Sequence, residues 1–201
     1  MSTPAWHQEM RSIVDEVEPL TPDAEEFWFL RHGETALNKS RIVQTQHGVT
    51  LNDTGREQAR KAAQLLANEP FHEIHASDLE RTWETATIVN EVCNKPIHKA
   101  SSLWERNWGD YAGQSNVGLN WSDNPNNGES LSEFTLRTLN GFREVLVKDK
   151  ILIVAHGGNY AVLLAAFGLT FAGNLVVKNA QPIKATRDAS APRGWAVTPL
   201  D

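Results

Sequence analysis

The stretch "FWFLRHGETALN", residues 27–38, joins a short apolar run directly to an arginine and a histidine. The four apolar residues predict a buried strand, and Gly33 allows the chain to turn after it. Arg31 and His32 then stand at the end of that strand, where a buried cationic group is costly unless an opposite charge pairs with it. We therefore expect the partner of these two side chains to be a negatively charged ligand.

The composition fits one globular domain. The chain has 201 residues, of which 40% are hydrophobic and 22% are charged, and a chain of this size can bury a core without staples. The formal net charge of −6 argues against a general nucleic-acid binder, because such proteins carry basic surfaces. The single cysteine, Cys93, excludes an intrachain disulfide and is compatible with a reducing compartment.

The first 26 residues differ in character from the rest of the chain. They are acidic and contain proline, and we expect residues 1–26 to be an N-terminal extension whose short helix, near residues 6–17, packs outside the core. Residues 27–201 are expected to form a single domain. The sequence shows no basic segment followed by an apolar one and no apolar run of membrane-spanning length, so we expect a cytoplasmic protein that does not bind membranes.

Alternating strands and helices predict the α/β class. Short buried strands are predicted in "FWFL", "EIHAS" and "ILIVAHGG", and helices are predicted over residues 51–69, 77–94, 128–147 and 159–169. Two late strands, within residues 174–187 and 194–200, are expected to pair as a hairpin. The pattern predicts a three-layer sandwich, in which a mostly parallel central sheet is flanked by helices on both faces.

Three helix starts show the spacing of a capping box, in which a Ser or Thr is followed three residues later by Glu. The predicted pairs are Thr54 with Glu57, Ser77 with Glu80 and Ser130 with Glu133.

Basic side chains are expected to meet at one edge of the predicted sheet. Arg31 and His32 follow the first strand, His156 ends the "ILIVA" strand, and Arg81 lies in the first turn of the helix after "EIHAS". In parallel sheets ligands bind outside the carboxyl ends of the strands. Two guanidiniums and two imidazoles would repel one another around an empty point, but arginine matches the oxygens of a phosphate dianion. The residues therefore predict a phosphate pocket.

Five motifs, in this order along the chain, resemble those of a known family. They are "LRHGET" (30–35), "SDLERTWETA" (77–86), "LWERNWGDYAGQ" (103–114), "GES" (128–130) and "VAHGG" (154–158). Together they resemble the histidine phosphatase superfamily, also called the phosphoglycerate mutase-like family, over a region from Phe27 to about Val197. The resemblance implies an α/β fold and a metal-independent phosphomonoester hydrolase that acts on a small phosphorylated substrate through a phosphohistidine.

The resemblance also implies roles for the catalytic side chains. His32 is expected to be the nucleophile that attacks phosphorus, and His156 is expected to contact the phosphoryl group during transfer. Glu105, the acidic residue of the "ER" segment, is expected to give a proton to the leaving oxygen. A plain ion pair between Glu105 and Arg106 is the alternative for that carboxylate.

The remaining residues that match the family's motifs are expected to bind phosphate oxygens. They are Arg31, Arg81, Asn38, through its side-chain amide, and Gly157 of the "VAHGG" motif. For Arg81 alone, an ion pair with Glu80 or Glu84 on the helix surface would be the ordinary interpretation. No metal ion or cofactor is expected, because the cationic side chains supply the positive charge that phosphoryl transfer needs.

Two regions depart from the family's pattern. The loop after Asn38 reads "QTQHGVTL" (44–51) where the family usually has "QGxxDxPL", so the substrate is open. The region after Glu105 is short, and it predicts only a small cap, roughly residues 106–128, over the carboxyl ends of the strands. Its Trp108 and Trp121 are candidates for a flat apolar wall. The small cap favours a phosphatase over a phosphomutase, and a catalytically inactive phosphate-binding module is a third alternative. An exposed sheet edge near "GWAVTPL" would suit a homodimer.

Overall fold

The computed structural model describes residues 3–171 and 177–201. Its sheet has six strands: β1 (Glu26–Arg31), β2 (Glu73–Ala76), β3 (Ile97–Lys99), β4 (Ile151–Ala155), β5 (Pro182–Arg187) and β6 (Trp195–Pro199). The strand order is β3-β2-β4-β1-β5-β6. The first four strands in that order are parallel, while β5 and β6 are antiparallel to their neighbours. The predicted mostly parallel sheet is confirmed.

The described residues contain six α-helices: α1 (Ala5–Asp15), α2 (Ala36–Lys39), α3 (Asp53–Leu66), α4 (Glu80–Cys93), α5 (Leu131–Val145) and α6 (Gly157–Ala166). The apolar faces of α1, α5 and α6 pack on one side of the sheet, and those of α3 and α4 pack on the other. This arrangement is the predicted three-layer sandwich.

The central strand β1 shows why the sheet is covered on both sides. Phe27 and Phe29 are buried in the core under α1, α5 and α6, whereas Trp28 and Leu30 are buried in the core under α3 and α4. Successive side chains of a strand point to opposite faces, so an uninterrupted apolar run requires a layer on each face. The strand ends at Arg31, so Arg31 and the following His32 lie at the rim of the sheet.

The N-terminal helix α1 belongs to the core. Met10 and Val14 are buried in the same apolar cluster as residues of α5 and α6. His7 is also buried, and its Nε2 lies 3.1 Å from the Ala161 carbonyl oxygen of α6. The prediction that the helix of residues 1–26 packs outside the core is therefore wrong. Its apolar side chains recur on one helical face, and α6 covers that face.

Of the three capping boxes predicted from the sequence, the structure contains one. Ser130 and Glu133 form the predicted reciprocal pair at the start of α5. Thr54 does not cap α3, because the helix starts two residues earlier, where the Asn52 side chain accepts from the Gly55 N–H. Ser77 does not cap α4, which starts after Leu79 without a side-chain cap.

The late strands pair as the predicted hairpin, with Lys184 opposite Thr198. The predicted strand began at residue 174, but residues 174–176 lie outside the described residues and β5 begins at Pro182. β6 forms one edge of the sheet, and a homodimer through that edge stays a prediction. Among the described residues, no helix combines the length and apolarity needed to cross a membrane.

The segment between β3 and α5 forms the small predicted cap. It is mostly irregular, with short 3-10 turns at Ser101–Leu103 and Gly109–Tyr111. Arg106 is buried, and its guanidinium donates to the carbonyl oxygens of Trp121, Asp123 and Glu129. One guanidinium thus joins both ends of the cap, and this fixes the residues next to it, including Glu105.

Candidate active site

His32 follows β1, and the structure holds it as a neutral imidazole. Its side chain is buried, and its Nδ1 lies 2.7 Å from the Gly33 carbonyl oxygen. A carbonyl oxygen can only accept, so Nδ1 carries the proton and Nε2 presents a free lone pair. Burial, followed by the charges of Arg81 and Arg31, holds the pKa of His32 well below its usual range. The ring is therefore uncharged at neutral pH, as a nucleophile must be.

His156 faces His32 from the end of β4. The two ring centroids are 5.3 Å apart. The Nε2 atom of His156 lies 3.0 Å from Ser77 Oγ and 3.1 Å from Thr82 Oγ1. Burial, followed by the positive charge of Arg81, holds the pKa of His156 well below its usual range. A second neutral imidazole is thus fixed beside the first by hydroxyls from two other segments.

Two arginines, the half-buried Arg31 and the buried Arg81, complete the basic cluster. Arg31 Nη1 donates to the Val177 carbonyl oxygen over 3.2 Å, and Arg81 Nη1 donates to the carbonyl oxygens of Thr45 and Gln46, each over 3.2 Å. Burial lowers the pKa of Arg31 and lowers the pKa of Arg81 to about 10. Both groups stay protonated at neutral pH, so the site keeps two desolvated positive charges.

Three buried nitrogen atoms of this cluster have no hydrogen-bond partner among residues 3–171 and 177–201. They are Nε of Arg31, Nε of Arg81 and Nδ1 of His156. Unpaired buried polar groups are costly, and native proteins satisfy nearly all of them. Three such atoms within one basic cluster are what a site for an anion requires.

The ordinary alternative for Arg81 does not occur. Glu84 instead pairs with Arg56, whose Nε lies 2.7 Å from its carboxylate, and Glu80 accepts from the Gly48 N–H. The guanidinium of Arg81 instead donates to the carbonyl oxygens of Thr45 and Gln46.

Glu105 reaches the same rim from the cap. Its Oε2 accepts from the Gly158 N–H over 3.1 Å, and its Oε1 accepts from the Arg106 backbone N–H over 3.0 Å. The side chain of Arg106 is occupied by cap carbonyls, so the alternative ion pair between Glu105 and Arg106 is not formed. The carboxylate lies at the first turn of α6, next to the residues that follow His156.

Asn38 and Gly157 lie beside Arg31. Asn38 lines a cleft of about 320 Å³ together with Arg31 and Glu105. Its side-chain oxygen accepts from the backbone N–H and the hydroxyl of Thr35, each over 3.2 Å. Gly157 opens α6, and a Cβ atom there would lie 3.5 Å from Nε of Arg31. The structure therefore brings the seven residues predicted from the sequence to one rim of the sheet, and their roles stay predictions.

The sequence did not predict several supporting residues. Ser77 and Thr82 hold His156, and Thr85 accepts from the Gly33 N–H over 3.0 Å. All three belong to the "SDLERTWETA" motif, but a hydroxyl gives no sign of a partner about 50 to 80 residues away. Gly158 was also missed, although a Cβ atom there would come within 2.2 Å of Oε1 of Glu105. Only a glycine allows that carboxylate to approach α6 so closely.

In the part of the chain that the structure describes, no group of three or more His, Cys, Asp or Glu side chains could hold a metal ion.

Comparison with known proteins identifies the family that the five sequence motifs resemble. The model of the histidine phosphatase superfamily (branch 1) matches residues 27–192. Phosphoglycerate mutase-like protein 4 of Arabidopsis thaliana is 33% identical over 156 residues, which cover 68% of this chain and 68% of that protein. Glucosyl-3-phosphoglycerate phosphatase of Mycolicibacterium vanbaalenii is 31% identical over 160 residues, covering 68% of this chain and 71% of that one.

A solved structure extends the likeness to the fold. The crystal structure of TTHB049 from Thermus thermophilus superposes with a TM-score of 0.68 at 26% identity and covers 87% of this chain and 98% of its own. The matched region begins at β1 and contains all five motifs, whereas α1 precedes it. The chain belongs to the histidine phosphatase superfamily.

Proposed function

We propose that this phosphoric monoester hydrolase transfers the phosphoryl group of a small phosphorylated substrate to Nε2 of His32 and then to water. The observation that carries the proposal is the 2.7 Å contact between Nδ1 of His32 and the Gly33 carbonyl oxygen. It fixes the tautomer, and the lowered pKa of the ring keeps the lone pair on Nε2 available for attack.

The basic cluster supports the handling of charge in this reaction. Phosphoryl transfer needs positioning and electrostatic stabilisation more than other help. Arg31 and Arg81 point unpaired Nε donors into a water-poor site, where they interact strongly with the oxygens of the transferring group. Asn38 and the N-terminus of α6 at Gly157 are placed to add further donors. No metal ion is needed in this scheme.

His156 acts as a neutral ring beside the transferring group. The hydroxyls of Ser77 and Thr82, which lie 3.0 Å and 3.1 Å from its Nε2, hold the imidazole in place. The ring donates its single proton to an oxygen of the phosphoryl group as that group moves to His32.

Glu105 moves the proton in both steps. In the first step the bond between phosphorus and the leaving oxygen breaks while Nε2 of His32 bonds to phosphorus, and protonated Glu105 gives its proton to the leaving oxygen. In the second step a water attacks the phosphohistidine and gives a proton to the Glu105 carboxylate, and the nitrogen–phosphorus bond breaks. The N–H groups of Gly158 and Arg106 hold the carboxylate in place.

The test is to trap the covalent intermediate. Wild-type protein is mixed with a 32P-labelled phosphomonoester and quenched in base, where a phosphohistidine survives; acid treatment should release the label. We expect base-stable label in the wild type and in H98A, whose histidine lies on the exposed edge strand β3, and none in H32A. Undiminished hydrolysis by H32A would refute the mechanism, and appreciable isomerisation of phosphoglycerate would favour the phosphomutase.

A further inference from the structure

The helix α1, which precedes the region matched by the family, reaches the active-site rim. It is held there by its buried face and by Ser122 of the cap, whose hydroxyl donates to Glu9. His7 binds the Ala161 carbonyl, and burial lowers its pKa, so it anchors the helix as a neutral ring at physiological pH. The helix is therefore a fixed wall next to the cap.

One side chain of α1 extends that wall over the site. Trp6 stacks on Trp121 of the cap, with ring centroids 5.2 Å apart and planes inclined by 27°. Phe171 meets the Trp6 ring edge-on, also at a centroid distance of 5.2 Å. The three rings come from three separate segments of the chain, and all are half-buried, so apolar ring surface stays accessible.

These rings line a cavity of about 190 Å³, which we call the aromatic cleft. Arg31 and Glu105 also line it, so the cleft adjoins the phosphate pocket and the proposed proton donor. Cavities of roughly 150 Å³ hold a benzene-sized ring. No other ionised side chain lines the cleft among the described residues.

A second cleft shares Arg31, Glu105 and Trp121 with the aromatic cleft. Its remaining lining is mixed and includes Trp108 as well as the amides of Asn38, Gln44 and Asn116. The aromatic cleft differs because no side-chain amide lines it among the described residues. The aromatic cleft is the one to which a segment outside the family's matched region contributes.

We propose that the aromatic cleft binds the leaving group of the substrate, and that this chain prefers phosphomonoesters whose alcohol carries a flat, uncharged ring. The proposal deepens the proposed function and rests on it. Trp6 and Phe171 are specificity-determining residues: they contact the ring of the leaving group and take no part in transferring the phosphoryl group. Stacking on an aromatic face and burial of the ring supply the preference.

The test compares benzyl phosphate with ethyl phosphate. Both release a primary alcohol and both need the proton from Glu105, so they differ in the ring alone. We expect the wild type to favour benzyl phosphate by roughly tenfold or more in kcat/KM, mainly through KM, as expected for stacking and burial of one ring. W6A should lower that preference by about fivefold, and F171A by about threefold.

Two controls separate a local effect from a damaged fold. W83A removes a half-buried tryptophan from α4, on the opposite face of the sheet, and should keep the wild-type preference. Competitive inhibition by inorganic phosphate reports the phosphate pocket directly, and its inhibition constant should stay within about twofold in W6A and F171A. If W6A does not fold, F171A, on a different segment, carries the test.

The outcomes distinguish this inference from the proposed function. A wild type that hydrolyses both esters through His32 without preferring benzyl phosphate would overturn the inference and leave the proposed function standing. Equal losses for both esters in W6A and F171A would also overturn it, because they would show a structural role. A wild type that hydrolyses neither ester and forms no phosphoenzyme would overturn both.

Discussion

The two ends of the active site are built in different ways. At the phosphate end His32, Arg81 and His156 are 2%, 1% and 0% exposed, and they stand on strand and helix ends of the central sheet. At the leaving-group end the rings of Trp6 and Trp121 are half-buried and come from the N-terminal helix and the irregular cap. In our proposals, the first end carries out phosphoryl transfer, and the second end binds the leaving group. Glu105 lies where they meet.

The largest expected effect comes from the phosphate end. R81A removes a buried positive charge and its unpaired donor, and we expect kcat/KM to fall by about 1,000-fold for every phosphomonoester, because this charge stabilises the transferring group itself. R81K should recover little, since an ammonium cannot reproduce the guanidinium fork. Steady-state kinetics on benzyl and ethyl phosphate measure both.

R56A is the matched control, because it removes a guanidinium that pairs with Glu84 away from the cluster. A loss in R81A confined to one substrate would contradict the division into two ends.

A smaller effect is expected at Glu105, where the two ends of the active site meet. E105Q keeps the size of the side chain and one of its two acceptor oxygens but cannot give a proton. We expect kcat for ethyl phosphate to fall by about 100-fold, a typical contribution of a general acid. For p-nitrophenyl phosphate, whose leaving group needs no proton, the loss in formation of the phosphoenzyme should be far smaller. A quenched-flow measurement of that step gives the comparison.

If E105Q slows phosphoenzyme formation equally for both esters, Glu105 is not the proton donor, and its contact with Gly158 would be structural only.

The hydroxyls behind His156 should have an effect of about tenfold. The double variant S77A/T82V removes both hydroxyls beside Nε2, so the orientation of the ring and the position of its proton are no longer fixed. We expect kcat to decrease and the acid limb of its pH profile to shift, while the single variants lose less. The pH profile is the readout that a merely structural defect would not move. T87V, which removes an exposed hydroxyl of the same helix, is the control.

The sequence predicts the phosphate end far better than the leaving-group end, and the reason is physical. The residues of the phosphate end follow from strand ends, because parallel strands bring their carboxyl ends together whatever the loops do. Arg31, His32 and His156 are therefore placed by secondary structure alone. Arg81 follows from the first turn of the next helix.

Contacts between distant segments could not be predicted in this way. The spacing of Ser77 and Glu80 indicates a helix cap, but the hydroxyl is taken by His156, 79 residues away. The contact of Glu105 with Gly158 depends on how the cap folds back, which Arg106 decides through three backbone carbonyls. The stacking of Trp6 on Trp121 depends on α1 packing into the core. Local patterns do not carry this information.

The smallest expected effect concerns stability against pH, and it also separates the two ends. Burial lowers the pKa of His32 and His156 at the phosphate end and of His7 at the leaving-group end. In the unfolded chain these histidines have the ordinary imidazole pKa of ~6.5. As the pH falls through that value the unfolded chain binds protons that the folded protein does not, so the free energy of unfolding decreases. Each site contributes a slope of at most about 1.4 kcal/mol per pH unit.

Thermal or urea unfolding between pH 7.5 and 5 therefore measures how strongly each end is desolvated. Two such imidazoles lie at the phosphate end and one lies in α1. The double variant H32N/H156N should therefore flatten the pH dependence of the free energy of unfolding more than H7N does. A double variant with the full wild-type slope would mean that these rings bind protons in the folded protein. In that case His32 would not be the neutral nucleophile that its hydrogen bond to Gly33 implies.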